Sequence, residues 1–450
     1  MHRREFLHQS GTVMAGGLLA SPAISAMTNQ PFSLAKKRIA MVGTGVRGLG
    51  MWGAPVISEF GDIIQFVGLC DINPGRVATG KKFLKLDCPV FTDFDQMMKE
   101  TKPEALIVTT VDATHDHFIV RGMEYGADII TEKPLTTDET KCQAILDAEK
   151  KYGKKVKVTF NYRYAPLHQK MYELLRSETI GKITSVDFHW YLDIHHGADY
   201  FRRWHRLRKN SGSLLVHKAT HHFDLLNWWI DSEPEEVFAF GVLDLYGKNN
   251  SFRHTQCRDC PYKQECKFFW DITKDKQLMD LYVANEKYDG YLRDGCVFRE
   301  DIDIFDQMAV QIKYANKIQV SYSLTAYSPY EGYRISFNGT KGKLDVWNKE
   351  MQPWTEEQDY TEIQVTTSFG KRDIIKVSNK EEGHGGGDVR LRKQIFDSDG
   401  KDPWRQAAGT RDGAMACLIG IAARNSIDSG KPVTIESLTN LKPQPERPHS

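Results

Sequence analysis

A chain of 450 residues with 60 Lys and Arg against 59 Asp and Glu has a formal net charge of +1, which argues against a general polyanion binder. With 40% hydrophobic residues, 11% aromatic residues and 17 prolines, it can bury large cores in about two or three domains, and extensive disorder is excluded. A mean hydropathy of -0.48, with no long apolar run after residue 26, excludes a polytopic membrane protein.

Residues 1–26 follow the pattern of an export signal. A charged start, Met1-His-Arg-Arg-Glu-Phe-Leu7, precedes an apolar stretch over 12–20 and a small-residue exit, Ser21-Pro-Ala-Ile-Ser-Ala26. Arg3 and Arg4, followed by Glu5, Phe6 and Leu7, resemble a twin-arginine signal, a class that carries already folded proteins across the bacterial inner membrane. The expected location is the periplasm, with no stable membrane insertion once the signal is removed.

Next, Ile39-Ala-Met-Val42 is a short apolar strand that runs into Gly43-Thr-Gly45-Val-Arg-Gly48, with a helix expected to about residue 60. Further strands are expected over 63–70, ending at Asp71, and over 105–110 and 128–131, with helical patterns between them. Alternating strand and helix means a parallel sheet. A helix over 138–152, with Asp138 as N-cap and Gly153 past its end, leads to a closing strand over 155–160. An α/β Rossmann domain with a parallel sheet is therefore expected over 34–160.

From about residue 183 the rhythm changes. Over 317–327, Ile318, Val320, Tyr322, Leu324 and Ala326 alternate with polar residues, as in a half-exposed antiparallel strand. Similar segments occur over 183–190, 237–245, 308–314, 333–337 and 343–347. The rest of the chain, 161–450, reads as an α+β domain with an open, mainly antiparallel sheet. It includes a Cys-rich loop over 254–300 and a C-terminal helical region over 387–430, opened by His384-Gly-Gly-Gly-Asp388 as a flexible turn with Asp388 as N-cap.

Three motifs carry chemistry. Gly43, Gly45 and Gly48 follow a strand and open a helix. Gly43 allows the tight turn, Gly45 lets the backbone approach a pyrophosphate at the positive helix end, and Gly48 permits close helix-strand packing. Asp71 can accept from both adenosine ribose hydroxyls and would repel a 2′-phosphate, which favours NAD; nearby Arg76 keeps NADP open as the lesser alternative. In Thr131-Glu-Lys-Pro-Leu135, Lys133 stands at the carboxyl end of a strand, where such folds bind ligands, and either meets a sugar hydroxyl or is a surface side chain before proline. On a helix predicted to run to residue 230, His217, His221 and Asp224 share one face, as an acid/base pair requires; histidines satisfied within the core are the alternative. Lys218 occupies the position where an H-E-x-x-H zinc protease needs Glu.

Together with Thr109-Thr-Val-Asp-Ala-Thr-His115, Glu132-Lys-Pro134 and Asn161-Tyr-Arg163, these motifs resemble the Gfo/Idh/MocA family from about residue 36 to the C-terminus. The resemblance implies a Rossmann domain followed by an α/β domain whose open sheet makes a homo-oligomer, with hydride moving between a nicotinamide and a sugar or cyclitol. It implies a cofactor held by Gly43, Gly45, Val46, Arg47, Gly48, Asp71, Thr110, His115, Glu132, Lys133 and Asn161. Substrate would meet Lys133, Arg163, His217, Lys218, His221 and Asp224, with Lys133, His221 and His217 as the catalytic set. The family's catalytic helix often reads Asp-x-x-x-His. Here His221 matches the histidine and His217 replaces the aspartate, leaving His221 as the proton carrier, Lys133 to polarise the reacting oxygen and Asp224 to orient His221.

Cys257, Cys260 and Cys266, with Cys296 further on, have a spacing compatible with a four-thiolate structural zinc site; disulfides, an iron–sulfur cluster and free thiols are the alternatives. Trp190, Trp204, Tyr327 and Tyr330 are candidates either for stacking on a sugar ring or for the core.

An exported enzyme works where free NAD is expected to be scarce, so its cofactor would have to stay bound through many turnovers. The reading is an NAD-dependent oxidoreductase of a neutral sugar or glycoside that binds no nucleic acid. The alternatives are a redox-neutral glycoside hydrolase, which oxidises a ring carbon, eliminates the aglycone and returns the hydride, and a non-catalytic sugar-binding protein on a Rossmann scaffold.

Overall fold

Six parallel strands, β1 (Lys37–Val42), β2 (Ile64–Cys70), β3 (Val90–Phe91), β4 (Ala105–Val108), β5 (Asp128–Thr131) and β6 (Val156–Val158), pair in the order β3-β2-β1-β4-β5-β6. This computed structural model describes residues 35–353, 359–380 and 383–448; residues 1–26, the export-signal pattern, lie outside them. All four residues of β4 are buried because helices cover both faces of the sheet. The helix Glu139–Tyr152 has the expected ends: the Asp138 carboxylate accepts from the Lys141 N–H, and Gly153 turns left-handed with a φ of 62°.

The second sheet has nine strands in the order β14-β13-β12-β11-β7-β10-β9-β8-β15. These are β7 (Ile183–Asp193), β8 (Pro234–Val242), β9 (Gln307–Tyr314), β10 (Gln319–Ser328), β11 (Glu331–Gly339), β12 (Gly342–Met351), β13 (Tyr360–Thr367), β14 (Arg372–Ser378) and β15 (Val433–Thr434). Only β7 and β10 pair in parallel, so the sheet is mixed and mainly antiparallel. Its inner side chains join those of the first sheet in one apolar cluster that includes Val108, Leu135, Trp190, Leu226 and Val320. The outer face leaves Phe240 and Trp347 exposed. Among the described residues no helix is long and apolar enough to cross a membrane.

Three local expectations are corrected. The helix carrying the histidines is broken in two, Leu214–His217 and Ala219–Ile230, with Lys218 at the joint. Residues 360–378 form β13 and β14, where no strand was expected. Gly386, in the left-handed region at φ 83°, caps the helix Gly387–Phe396, and Asp388 lies within its first turn.

Candidate active site

The glycine motif sits where β1 and β4 lie side by side, the point in such sheets at which the chain order reverses. Gly43 has a φ of 92°, and a Cβ there would stand 2.6 Å from the Thr109 carbonyl; a Cβ on Gly48 would stand 2.3 Å from the Gly43 oxygen. Neither position accepts a side chain, so the loop packs tightly against the end of β4. On this loop the Val46 N–H donates to the Tyr282 hydroxyl oxygen at 3.1 Å. An oxygen acceptor thus already fits the amide that a pyrophosphate would use, and the residues present suit a dinucleotide.

Glu132 fastens this loop to the end of β5, since one carboxylate oxygen accepts from Arg47 Nε and from Trp52 Nε1, both at 2.7 Å. Asp71 is committed to protein donors. It accepts from Thr44 N at 2.9 Å and Thr44 Oγ1 at 3.1 Å, from Asn73 N at 3.0 Å and from Arg76 Nη1 at 3.0 Å. Four donors match a carboxylate's roughly four lone-pair sites, so Asp71 shapes the ribose end of the site rather than standing ready for two hydroxyls.

At the opposite end Lys133 follows β5, and its Nζ donates to the His217 carbonyl oxygen at 2.9 Å. Burial lowers its ammonium to about 8, while Asp112 and Glu132 pull it back up. His217 Nδ1 lies 2.5 Å from Asp112 Oδ2, on the turn Asp112–Thr114. Burial pushes this carboxyl up and this imidazole down, so the charged forms of both are disfavoured. His221 is buried, its Nδ1 has no hydrogen-bond partner, and its ring centroid lies 4.7 Å from that of Tyr162. Burial, then the charges of Lys133, Lys218 and His384, hold His221 well below the ordinary imidazole value. A neutral imidazole near an ammonium that titrates in the mildly alkaline range is a base and a hydrogen-bond donor for one hydroxyl.

Lys218, at the helix break, lies 5.3 Å from the Trp190 ring centroid and 5.7 Å from that of Tyr162. Burial works against its charge, but Tyr200 and Glu331 hold it above the ordinary lysine value. His217 is flanked by His205 at 4.1 Å, Tyr200 at 5.4 Å and Trp204 at 5.7 Å between ring centroids. This aromatic wall suits the apolar face of a sugar ring. Trp204 belongs to it, whereas Trp190 is core, stacked on His222 at 3.8 Å. Tyr327 packs near Tyr246, and Tyr330 lies beside Tyr191 and Trp347.

Other expected site residues have structural partners. Arg163 does not face substrate and Asp224 does not orient His221: they pair with each other, Arg163 Nη2 donating to Asp224 Oδ1 at 2.6 Å and Nε to Oδ2 at 2.8 Å. Their side chains are 0% and 1% exposed, and Asp412 takes a third contact from Arg163 at 3.1 Å. His115 places Nδ1 2.8 Å from the Pro134 oxygen and Nε2 3.2 Å from the Thr110 oxygen, bracing the lysine loop from behind. Asn161 donates to Asp388 at 2.6 Å, and His384 Nδ1 lies 3.0 Å from the same carboxylate. Together these contacts tie the helix Gly387–Phe396 to the site.

Asp112, Tyr200, His205 and Tyr282 were not expected. Only Asp112 carried a signal, as an acidic residue in the motif after β4.

The zinc expectation is not met by the geometry. Cys257, Cys260, Cys266 and Cys296 line one small cavity and all are free thiols. Among the described residues, however, the three metal-type donors lying within 4.8 Å of one another are Asp193, His196 and Glu331, not these sulfurs. A zinc tetrahedron with bonds of about 2.3 Å would hold its sulfurs about 3.8 Å apart.

Two models of one oxidoreductase family match the chain: its NAD-binding Rossmann fold over residues 37–160 and its C-terminal alpha/beta domain over 172–435. YteT of Bacillus subtilis (strain 168), a protein named as an oxidoreductase, is 38% identical over 428 residues, covering 90% of this chain and 99% of that protein. The inositol 2-dehydrogenase/D-chiro-inositol 3-dehydrogenase of Lactiplantibacillus plantarum is 22% identical over 200 residues, 44% of this chain and 54% of that protein. Levoglucosan dehydrogenase in complex with NADH and L-sorbose shares the fold, with a TM-score of 0.65 and 17% identity over 90% of this chain and all of that one.

Proposed function

The chain belongs to the Gfo/Idh/MocA oxidoreductase family, and on that premise we propose that it oxidises a hydroxyl of a sugar or glycoside, using NAD that stays bound between turnovers. The observation that carries this reading is that Lys133 Nζ donates to the His217 carbonyl at 2.9 Å, four residues before His221, whose buried Nδ1 has no partner; burial lowers the Lys133 ammonium to about 8 and holds His221 below the ordinary imidazole value. When bound, the nicotinamide supplies the hydride acceptor. His221 takes the hydroxyl proton while the carbon-bound hydrogen leaves as hydride and the C–O bond becomes a carbonyl. Lys133 donates a hydrogen bond to the reacting oxygen, and Asp112 fixes the ring of His217, whose carbonyl holds Lys133 Nζ. Trp204, Tyr200 and His205 give the ring a wall, and the helix Gly387–Phe396 closes the side near His384.

A redox-neutral glycoside hydrolase is the second reading. Like the first reading it uses a cofactor that is not exchanged, and because the hydride returns to the sugar it needs no outside acceptor. The export-signal pattern of residues 1–26 supports the same retention through a periplasmic site of action. A homo-oligomer formed through the open sheet completes the proposal, its exposed Phe240 and Trp347 being the surface that would be covered.

Incubation with glycosides in deuterated water distinguishes the two chemistries. Stoichiometric NADH supports the dehydrogenase. Deuterium beside the oxidised carbon without net NADH supports elimination, and a protein that binds no nucleotide overturns both.

A further inference from the structure

We infer that the segment around 281–289 of the Cys-rich insert is the outer wall of the dinucleotide site, and that Asp289 on it makes the site selective for NAD over NADP by holding Arg76. The inference deepens the cofactor reading above and rests on it. Arg76 lies in the helix Pro74–Leu84, just past Asp71, where a guanidinium would receive a 2′-phosphate. In the structure that guanidinium is engaged on both sides: Nη1 donates to Asp71 Oδ1 at 3.0 Å and Nη2 to Asp289 Oδ2 at 2.5 Å, with the arginine side chain only 11% exposed.

Asp289 comes from a segment that is docked, not merely nearby. Leu281 is 1% exposed and packs in the apolar cluster of the glycine-loop side, with Leu49 and Trp52. Asn73 Nδ2 donates to the Asn285 carbonyl at 2.9 Å, and the fit is so close that a Cβ on Gly75 would stand 1.9 Å from Asn285 Oδ1. Tyr282 places its hydroxyl on the Val46 N–H at 3.1 Å, and its ring centroid lies 5.5 Å from the Arg76 guanidinium. The insert therefore borders the site from the phosphate loop to the ribose end. Two carboxylates around one guanidinium leave that end net negative. A 2′-phosphate, with a charge of about -1.5 to -2, would have to break the Asp289 contact and approach Asp71 as well. A 2′-hydroxyl meets neither penalty.

The test is direct binding of NAD and of NADP to the purified full-length protein, followed by intrinsic fluorescence or calorimetry. Asp289→Ala should raise NADP affinity at least about tenfold relative to NAD. Asp289→Glu should keep the NAD preference, and adding Arg76→Gln to Asp289→Ala should abolish the gain, because the freed guanidinium is what receives the phosphate. If Asp289→Ala binds both nucleotides with the wild-type ratio, the inference is overturned while the cofactor reading stands. If wild type binds neither nucleotide, the cofactor reading itself falls.

Discussion

His217 Nδ1 lies 2.5 Å from Asp112 Oδ2, and the carbonyl of the same His217 receives Lys133 Nζ at 2.9 Å. The acidic group missing from position 217 of the Asp-x-x-x-His pattern is supplied beside it by Asp112, on the turn after β4. Replacing Asp112 by Asn should therefore slow turnover by on the order of a hundredfold while leaving nucleotide affinity within about threefold, and should displace the pH profile. Steady-state rates across pH check this. A uniform loss with an unmoved profile would reduce Asp112 to a packing role.

Lys133 sets the alkaline side of that profile. As a charged donor it works below its lowered value of about 8, so kcat/KM should fall as pH rises through that region. His221 must be neutral, and it titrates well below the ordinary imidazole value, so its limb lies on the acid side of neutrality. Lys133→Arg should move the alkaline limb upward. An alkaline limb that stays in place would mean another group makes it.

Arg163 and Asp224 give the opposite kind of prediction. Arg163→Met leaves Asp224 buried without its ion-pair partner, while Asp412 keeps Arg447 at 2.6 Å, which should cost about 3–5 kcal/mol of stability. Thermal unfolding should show the loss, with sugar affinity unchanged in the folded fraction. A variant of normal stability that no longer binds sugar would return Arg163 to the substrate site.

Gly48→Ala tests the phosphate loop. Its Cβ would meet the Gly43 oxygen at 2.3 Å, so the loop must shift, and nucleotide affinity should drop by at least about tenfold. Equal affinity would show that the loop is not the phosphate site.

The first domain was legible because its signals are local: an apolar strand, three glycines, an acidic strand end, and Asp138 and Gly153 marking the two ends of one helix. The second sheet was read where a long apolar alternation marks one face, as in β10; β13, whose buried face is only Thr361, Ile363 and Val365, went unread with β14 and the two-residue β15. The break at Lys218 was also hidden, since Lys218 keeps helical backbone angles, with φ -92° and ψ -49°. His221 and Asp224 share the unbroken helix Ala219–Ile230, and Asp224 is lost to His221 because the buried Arg163 guanidinium takes both of its oxygens. Asp112 on His217 and Asp289 on Arg76 join residues far apart in the chain, which no pattern within one segment can show.

In the proposed mechanism Lys133 and His221 carry hydride chemistry on a sugar hydroxyl. The most direct measurement is single-turnover reduction of bound nicotinamide, followed by its absorbance, in wild type and in His221→Ala with the same sugar. Nucleotide binding should be equal in the two, and hydride transfer at least on the order of a hundredfold slower in the variant. Hydride transfer at the wild-type rate in His221→Ala would contradict it.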